Sequence, residues 1–423
     1  YEFAATRPER RSLAAIRQGE YEALPEKLGH ADFAPDYGPA KFVPEFGAMV
    51  IGARKFLVAY NVNLNVTDKR WANRVAFDVR ERGRTVTDAD GNQVEQPGML
   101  KAVRGVGWYI PEYGCAQVSM NLVDLEETPL HAAFDACDES ARERGLRVTG
   151  SELVGLVPKR TILDAGRHYL RSMERSPGVP EADIVHTAIR TLGLSEVSAF
   201  DPKEKIIEDI LAPERPLASL TVQGFADETS RDSAAPGGGS VAALAGALAA
   251  ALAAMVANLP HPKSDYAGVR EELEEVAVRA QEFKQRLIDA IDEDTWAFQQ
   301  LMEASRSGDA DRQRQATLHA AEVPLGVAEA CPEIADLCRS ARRLGMPASA
   351  SDAGVGAGMA RAAAAGAAMN VYINLLDMAE DAQAHDLLRR ADAALEATCG
   401  IADELESEVW RALGRKNGRV KTT

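Results

Sequence analysis

Cysteine is scarce and unpaired here: five residues in 423, at 115, 137, 331, 338 and 399, with no C-x-x-C spacing. An odd count at irregular spacing excludes a disulfide framework and a cysteine-built zinc site, and fits reduced thiols in a cytoplasm-like compartment. Cys331 and Cys338 share a helical face and read as small buried apolar residues. Histidine is equally sparse, and the seven, at 30, 131, 168, 186, 261, 319 and 385, lack the paired spacing of a metal site, so no metal is expected. Positive charge is in deficit: 64 acidic against 48 basic residues give a net charge of −16 and a pI near 5.1. That balance excludes a nucleic-acid partner, whose phosphates need a basic face. Only the tail, Arg415 to Lys421, is basic, and it reads as solvated. One apolar run, Val241 to Leu259, approaches membrane-spanning length, but it is mostly alanine with Asn258 near its end. A buried bundle helix is the expectation, and no membrane partner. No secretory leader is evident, so a cytoplasmic location is expected; a start at Tyr1 reads as incomplete or processed.

What is present divides into two halves. A chain of this length exceeds one typical core. Up to about residue 211, strand and helix patterns alternate. Phe56 to Leu64 alternates with strong β formers inside a strand expected over 48–65, and Thr67 is a candidate cap for a helix running to about Arg82. Asp88 to Asn92 reads as a turn; a calcium loop is excluded because no glutamate stands at the twelfth position. Val106–Ile110 and Ala116–Val123 are expected to pair across Pro111–Gly114. A helix from Thr128, with Pro129 at its first position, and a strand near Arg147–Leu156 complete what reads as a parallel βαβ unit. Further helical stretches end with Pro202–Leu211. Beyond Ala212–Pro216 the strand signals stop, and the rest is helix rich in small residues: an α/β part followed by an all-α helical bundle.

Four features could carry chemistry. Pro236, Gly237, Gly238, Gly239 and Ser240 lead directly into the alanine-rich helix. Glycines there permit positive φ and close approach of a ligand to main-chain N–H groups, and Ser240 is a candidate N-cap, although a flexible linker has the same composition. The second feature is the apolar seam Val269, Leu273, Val276, Ala280, Phe283, Leu287, Ile291, Phe298, Leu301, which Asp294 interrupts. A carboxylate at a core position costs several kcal/mol unless paired or protonated. Burial would raise its pKa toward neutrality, as a general acid/base requires; a helix-bend or salt-bridged aspartate is the other reading. Asp292 lies off the seam, as a supporting or solvated carboxylate. Third, Ser351 or Asp352 could cap a helix whose far end presents Asn370 and Asn374 one turn apart, able to read a heterocycle or to lock two helices together. Fourth, the loop Gly38-Pro39-Ala40-Lys41-Phe42-Val43-Pro44-Glu45-Phe46-Gly47 could stack a flat ring over Asn61 and Asn63, which share one strand face; such loops also occur as packing features.

These residues together resemble the formimidoyltransferase-cyclodeaminase family. Pro35–Pro39, Phe42–Pro44, Gly52–Leu57, Asn61–Leu64, Gly105–Tyr109 and Leu153–Pro158 look like its transferase part. Ser233–Ser240, Asp292–Asp294 and Ser351–Asp352 look like its cyclodeaminase part. The resemblance implies a mixed-sheet α/β sandwich for the transferase. It divides the chain into 1–57 (remainder of the transferase N-terminal subdomain), 58–212 (C-terminal subdomain), 213–220 (linker) and 221–423 (cyclodeaminase). It implies two steps of histidine degradation: formimino transfer from N-formimino-L-glutamate to tetrahydrofolate, then ring closure of 5-formiminotetrahydrofolate to 5,10-methenyltetrahydrofolate with release of ammonia. It places folate contacts on Gly38–Gly47 and cyclodeaminase catalysis on Asp294. It implies polyglutamylated tetrahydrofolate as co-substrate, with Lys41, Arg54 and Lys55 as anchors for its anionic tail, and a homo-oligomer, an octameric ring. The family's transferase begins with a further α/β stretch bearing a catalytic histidine; that stretch is expected to be missing ahead of Tyr1, and none of the seven histidines fits its role. Two alternatives stand beside this: the helical part alone is active, as cyclodeaminase or methenyltetrahydrofolate cyclohydrolase, or it is an oligomerisation scaffold.

Overall fold

The computed structural model describes residues 1–233, 235–416 and 419–420, with side chains given as far as Gly414. The side chains of the basic tail, Arg415 to Lys421, therefore lie outside the described residues. The chain forms two compact units, residues 1–165 with 189–210 and residues 166–188 with 211–423.

In the first unit, residues 1–57 form only short turns and irregular chain. They are tied together by the nearly buried Arg10, whose guanidinium donates to the carbonyls of Asp32 and Ala34. The strand expected over 48–65 is shorter: β1 is Val58–Leu64. It is followed by α1 (Lys69–Val79), the small hairpin β2 (Arg84–Thr87) and β3 (Gln93–Gln96), β4 (Val103–Ile110), β5 (Cys115–Leu122), α2 (Leu130–Glu143) and β6 (Val148–Val154). Asp68, not Thr67, caps α1, because its carboxylate accepts from the Arg70 N–H; Pro129 is the N-cap of α2 rather than its first residue.

The main sheet has the order β4-β5-β1-β6, with every neighbouring pair antiparallel. Strands β5 and β6 do run parallel, but β1 lies between them. The strand–helix–strand reading thus holds in direction and fails in adjacency, giving a split βαβ arrangement. The β4–β5 hairpin forms as expected, with Tyr109 opposite Ala116. Gly107 of β4 is required by packing: a Cβ there would fall 2.1 Å from the backbone N of Asn73, so α1 can rest on the sheet only over a bare backbone. The seal is completed by the Gly107 N–H donating to Asn73 Oδ1 at 2.9 Å.

Two helices, α3 (Lys159–Ser172) and α4 (Glu181–Leu192), have one end in each unit. The second unit continues with α5 (Val222–Thr229), α6 (Gly238–Asn258), α7 (Arg270–Ser307), α8 (Ala310–Leu344), α9 (Ala350–Asn374) and α10 (Ala382–Ala412). Aspartates start these rods and glycine stops one: Asp309 and Asp381 cap the N-termini of α8 and α10, and α7 ends at Gly308 in the left-handed region, φ 72°. Alanine faces let the axes approach closely, and glycine goes further. A Cβ on Gly246 would meet Leu287 at 2.8 Å, and one on Gly356 would meet Cys338 Sγ at 2.8 Å. Cys331 and Cys338 are buried, and burial pushes both thiols up to about 12, as small apolar core residues require. Helix α6 is long and apolar enough to cross a membrane by length and composition, but most of it is buried in the bundle.

Candidate active site

The seam of α7 packs as its spacing dictates. Leu273, Val276, Ala280, Phe283, Leu287 and Ile291 are all buried. Asp294 continues that line and is half-buried. Burial raises its carboxyl above the ordinary 3.8, and hydrogen bonds from Ser240 act in the opposite direction. One of these is 3.2 Å long, from Ser240 Oγ to Asp294 Oδ2.

The partner of Asp294 is the first turn of α6. Here the structure corrects the expectation for the glycine-rich run. Gly237 is the N-cap and offers no side chain, while Ser240 sits inside the helix, fully buried, with Oγ 2.8 Å from the Ile291 carbonyl. None of Gly237, Gly238 and Gly239 adopts positive φ. They matter because they lack a Cβ: one on Gly239 would lie 2.1 Å from Asp294 Oδ1, and one on Gly238 would lie 3.0 Å from Asn370 Nδ2. Thus Gly238, Gly239, Ser240, Asp294 and Asn370 are brought together from three helices. The uncapped start of α6 turns its free N–H groups and its positive dipole end toward the carboxylate.

Asp292 is buried, not solvated, with 1% exposure. Its two oxygens accept from the N–H groups of Leu217 and Ala218 at 2.9 and 3.0 Å, clamping the chain that enters the bundle. Its role is to hold α7 against that segment. Asn374 turns away from Asn370 and donates to the Ala320 carbonyl on α8 at 2.7 Å. Ser351 and Asp352 are not caps: α9 starts at Ala350 with Ser349 at the N-cap. Eighteen residues of helix separate Asp352 from Asn370, about 27 Å. The structure therefore leaves Ser351 and Asp352 at the opposite end of α9 from the Asp294 cluster.

In the first unit, Gly38 and Gly47 frame the loop in the left-handed region at φ 83° and 72°. Phe42 packs edge-on against Tyr21, whose hydroxyl donates to the Pro44 carbonyl, while Phe46 stays 67% exposed, an aromatic held in solvent. Asn61 and Asn63 are buried rather than open beneath a ligand. Asn61 donates to Glu152 at 3.2 Å, and Asn63 accepts from Gln117, which accepts in turn from Trp108 Nε1. Glu152 also accepts from Tyr113. Sequence patterning gives no role to Gln117, Trp108 and Glu152: the β4–β5 turn sets Trp108 opposite Gln117, but the register that sets Gln117 opposite Asn63 belongs to the non-local pairing of β1 with β5. Lys55 is bound to Asp124 and Glu126 at 2.9 and 2.8 Å, and these hydrogen bonds raise its pKa, whereas Lys41 and Arg54 are exposed. Glu293, a neighbour of Asp294 that the sequence reading gave no role, lines a cavity of about 250 Å³ with Arg286, His319 and Glu322. Burial raises its carboxyl, and Asp289 adds to this. Among the described residues no group of histidine, cysteine and acidic side chains could hold a metal ion.

Three family profiles cover the chain in order. The formiminotransferase domain, N-terminal subdomain, matches residues 1–54; the formiminotransferase domain matches 59–212; and formiminotransferase-cyclodeaminase matches 221–393. The chain is 39% identical to mouse formimidoyltransferase-cyclodeaminase over 90% of its own length and 71% of that protein's. It belongs to the formimidoyltransferase-cyclodeaminase family. It is accordingly an enzyme with a transferase part and a cyclodeaminase part. Two further relatives each match one part of this family's plan. Glutamate formimidoyltransferase of Streptococcus pyogenes is 39% identical over 40% of this chain and 52% of its own. Methenyltetrahydrofolate cyclohydrolase of Methylorubrum extorquens is 32% identical over 44% of this chain and 92% of its own.

Proposed function

We propose that this chain performs two consecutive steps of folate-dependent histidine degradation and that Asp294 is the proton carrier of the second. The α/β part, residues 1–212, moves the formimino group from N-formimino-L-glutamate to N5 of tetrahydrofolate. The helical part, residues 221–423, closes the ring. Starting from the protonated formimino group, the Asp294 carboxylate takes the proton of N10 as N10 bonds to the formimino carbon. The resulting carboxylic acid gives that proton to the departing nitrogen, the C–N bond breaks, and ammonia and 5,10-methenyltetrahydrofolate leave. A carboxyl that serves as base and then acid works best with a pKa drawn toward the operating pH. The observation that carries this reading is the half-buried Asp294 carboxyl, raised by burial and held against the glycine start of α6 with Asn370 beside it.

The folate tail, in its polyglutamylated form, is assigned to the exposed cations Lys41 and Arg54; Lys55 is already neutralised by Asp124 and Glu126. Asp292 and Asn370 support Asp294, and the site needs no metal. Association of this chain with further copies of itself is supported by two apolar stripes. On α6, Val241, Leu248 and Met255 recur every seven residues at 38–48% exposure, and Met369 and Ile373 on α9, with Leu376 just past its end, are more exposed still.

The test is Asp294→Asn assayed with 5-formiminotetrahydrofolate by methenyl absorbance. The expected outcome is loss of turnover by about 10²–10⁴-fold with the oligomer intact. Unchanged turnover would leave the helical part as a scaffold. A second reading, hydrolysis of methenyltetrahydrofolate, is favoured by the likeness to the Methylorubrum cyclohydrolase across nearly half of the chain. Adding methenyltetrahydrofolate alone and following its decay separates the two.

A further inference from the structure

We propose that Ser240 is a positioning residue for the cyclodeaminase proton carrier: its single hydroxyl proton turns between the Asp294 carboxylate and the Ile291 carbonyl as Asp294 gives and takes a proton. This rests on the assignment of Asp294 as that carrier. Ser240 Oγ lies 2.8 Å from the Ile291 oxygen, 3.2 Å from Asp294 Oδ2 and 3.5 Å from Thr295 Oγ1. A serine hydroxyl has one proton to donate and two lone pairs to accept with, so it cannot serve both oxygens at once. It is fully buried, and no bulk water competes for it.

Two complete arrangements follow. With Asp294 ionised, the hydroxyl donates to Oδ2, and the Ile291 carbonyl keeps its bond from within α7. With Asp294 protonated, the carboxyl O–H donates to Ser240 Oγ, whose own proton swings to the Ile291 oxygen. Both states leave every buried polar atom partnered, and the change needs one O–H rotation and no heavy-atom movement. The device depends on the glycine beside it, since only a residue without a Cβ at position 239 lets the carboxylate come within reach of the hydroxyl. Alanine at 240 removes the donor to the ionised form, so the protonated form gains.

The experiment compares the purified full-length chain with Ser240→Ala, Ser240→Cys and Ser240→Thr, reading the pH profile of kcat/KM for 5-formiminotetrahydrofolate and the melting temperature. Losing a hydrogen bond to the ionised carboxylate is expected to move the acidic limb up by about one to two pH units in Ser240→Ala. Ser240→Thr, which keeps the hydroxyl, restores the limb. Ser240→Cys, of similar volume and with a weak donor, replaces the alanine variant should that one fail to fold. An acidic limb that stays in place in folded Ala or Cys variants overturns the proposal. An Asp294→Asn chain with full turnover would instead overturn the reading beneath it, and the two failures are told apart by which variant shows them.

Discussion

A side chain at Gly239 and the carboxylate of Asp294 compete for one space, since an ideal Cβ on Gly239 falls 2.1 Å from Asp294 Oδ1 and 2.5 Å from its carboxyl carbon. Backbone of α6 and side chain of α7 are thus fitted to one another with no tolerance for a methyl group. Gly239→Ala is expected to push the carboxylate out of line and lower cyclodeaminase turnover by roughly 100-fold, the usual consequence of an ångström-scale misplacement. Normal ring closure by a well-folded Gly239→Ala chain would remove the close approach from the argument.

Stability should carry the same signature as a function of pH. Folding raises the Asp294 carboxyl above its ordinary 3.8. Its contribution is therefore fully present below about pH 4, where both states are protonated, and is lost as pH rises through the folded value. Asp294→Asn has no such loss. Melting curves should show the asparagine variant gaining on the wild type as pH increases from about 4 toward neutrality. A constant difference across that range would mean the carboxyl is not raised.

Asp292 is expected to act on stability rather than on proton transfer. It accepts two main-chain N–H bonds from Leu217 and Ala218 while almost fully buried. Asp292→Ala leaves both donors unpaired and should cost about 2–6 kcal/mol, since each orphaned group costs roughly 1–3. Urea denaturation measures this. The pH profile of the surviving activity should keep its acidic limb where the wild type has it.

In the α/β part, Asn63 and Gln117 form one buried bond of 2.7 Å. Asn63→Ala leaves the Gln117 amide unpaired and should destabilise by roughly 1–3 kcal/mol. Adding Gln117→Ala should cost less than the sum of the single changes, a coupling that a double-mutant cycle reads directly. Additive losses would show that the pair does not act as a unit.

The seam of α7 was legible because steps of three and four residues are a local property, and so was the one acidic residue breaking it. The β4–β5 hairpin and the long helices were readable for the same reason, whereas the strands of the main sheet end at Val154, well before the boundary expected near residue 212. Asp292 was not. The groups that bury it, Leu217 and Ala218, lie some 75 residues earlier, and nothing in the spacing around position 292 points to them. Serine before an apolar run is the usual signal of a cap, but Gly237 takes that position and the Ser240 hydroxyl faces α7 instead. Asn61 and Asn63 looked available for a ligand until cross-strand register gave them Glu152 and Gln117 as partners.

Sequence alone determined which segments form strands and rods, and which carboxylate stands on an apolar line, because side-chain periodicity follows from backbone geometry within a few residues. Only the tertiary structure decided that β1 enters between β5 and β6, that bare glycine backbone on α6 receives Asp294, and that Ser351 and Asp352 lie a helix length away. Those outcomes depend on which distant surfaces meet, and excluded volume at a missing Cβ is not written in any local pattern.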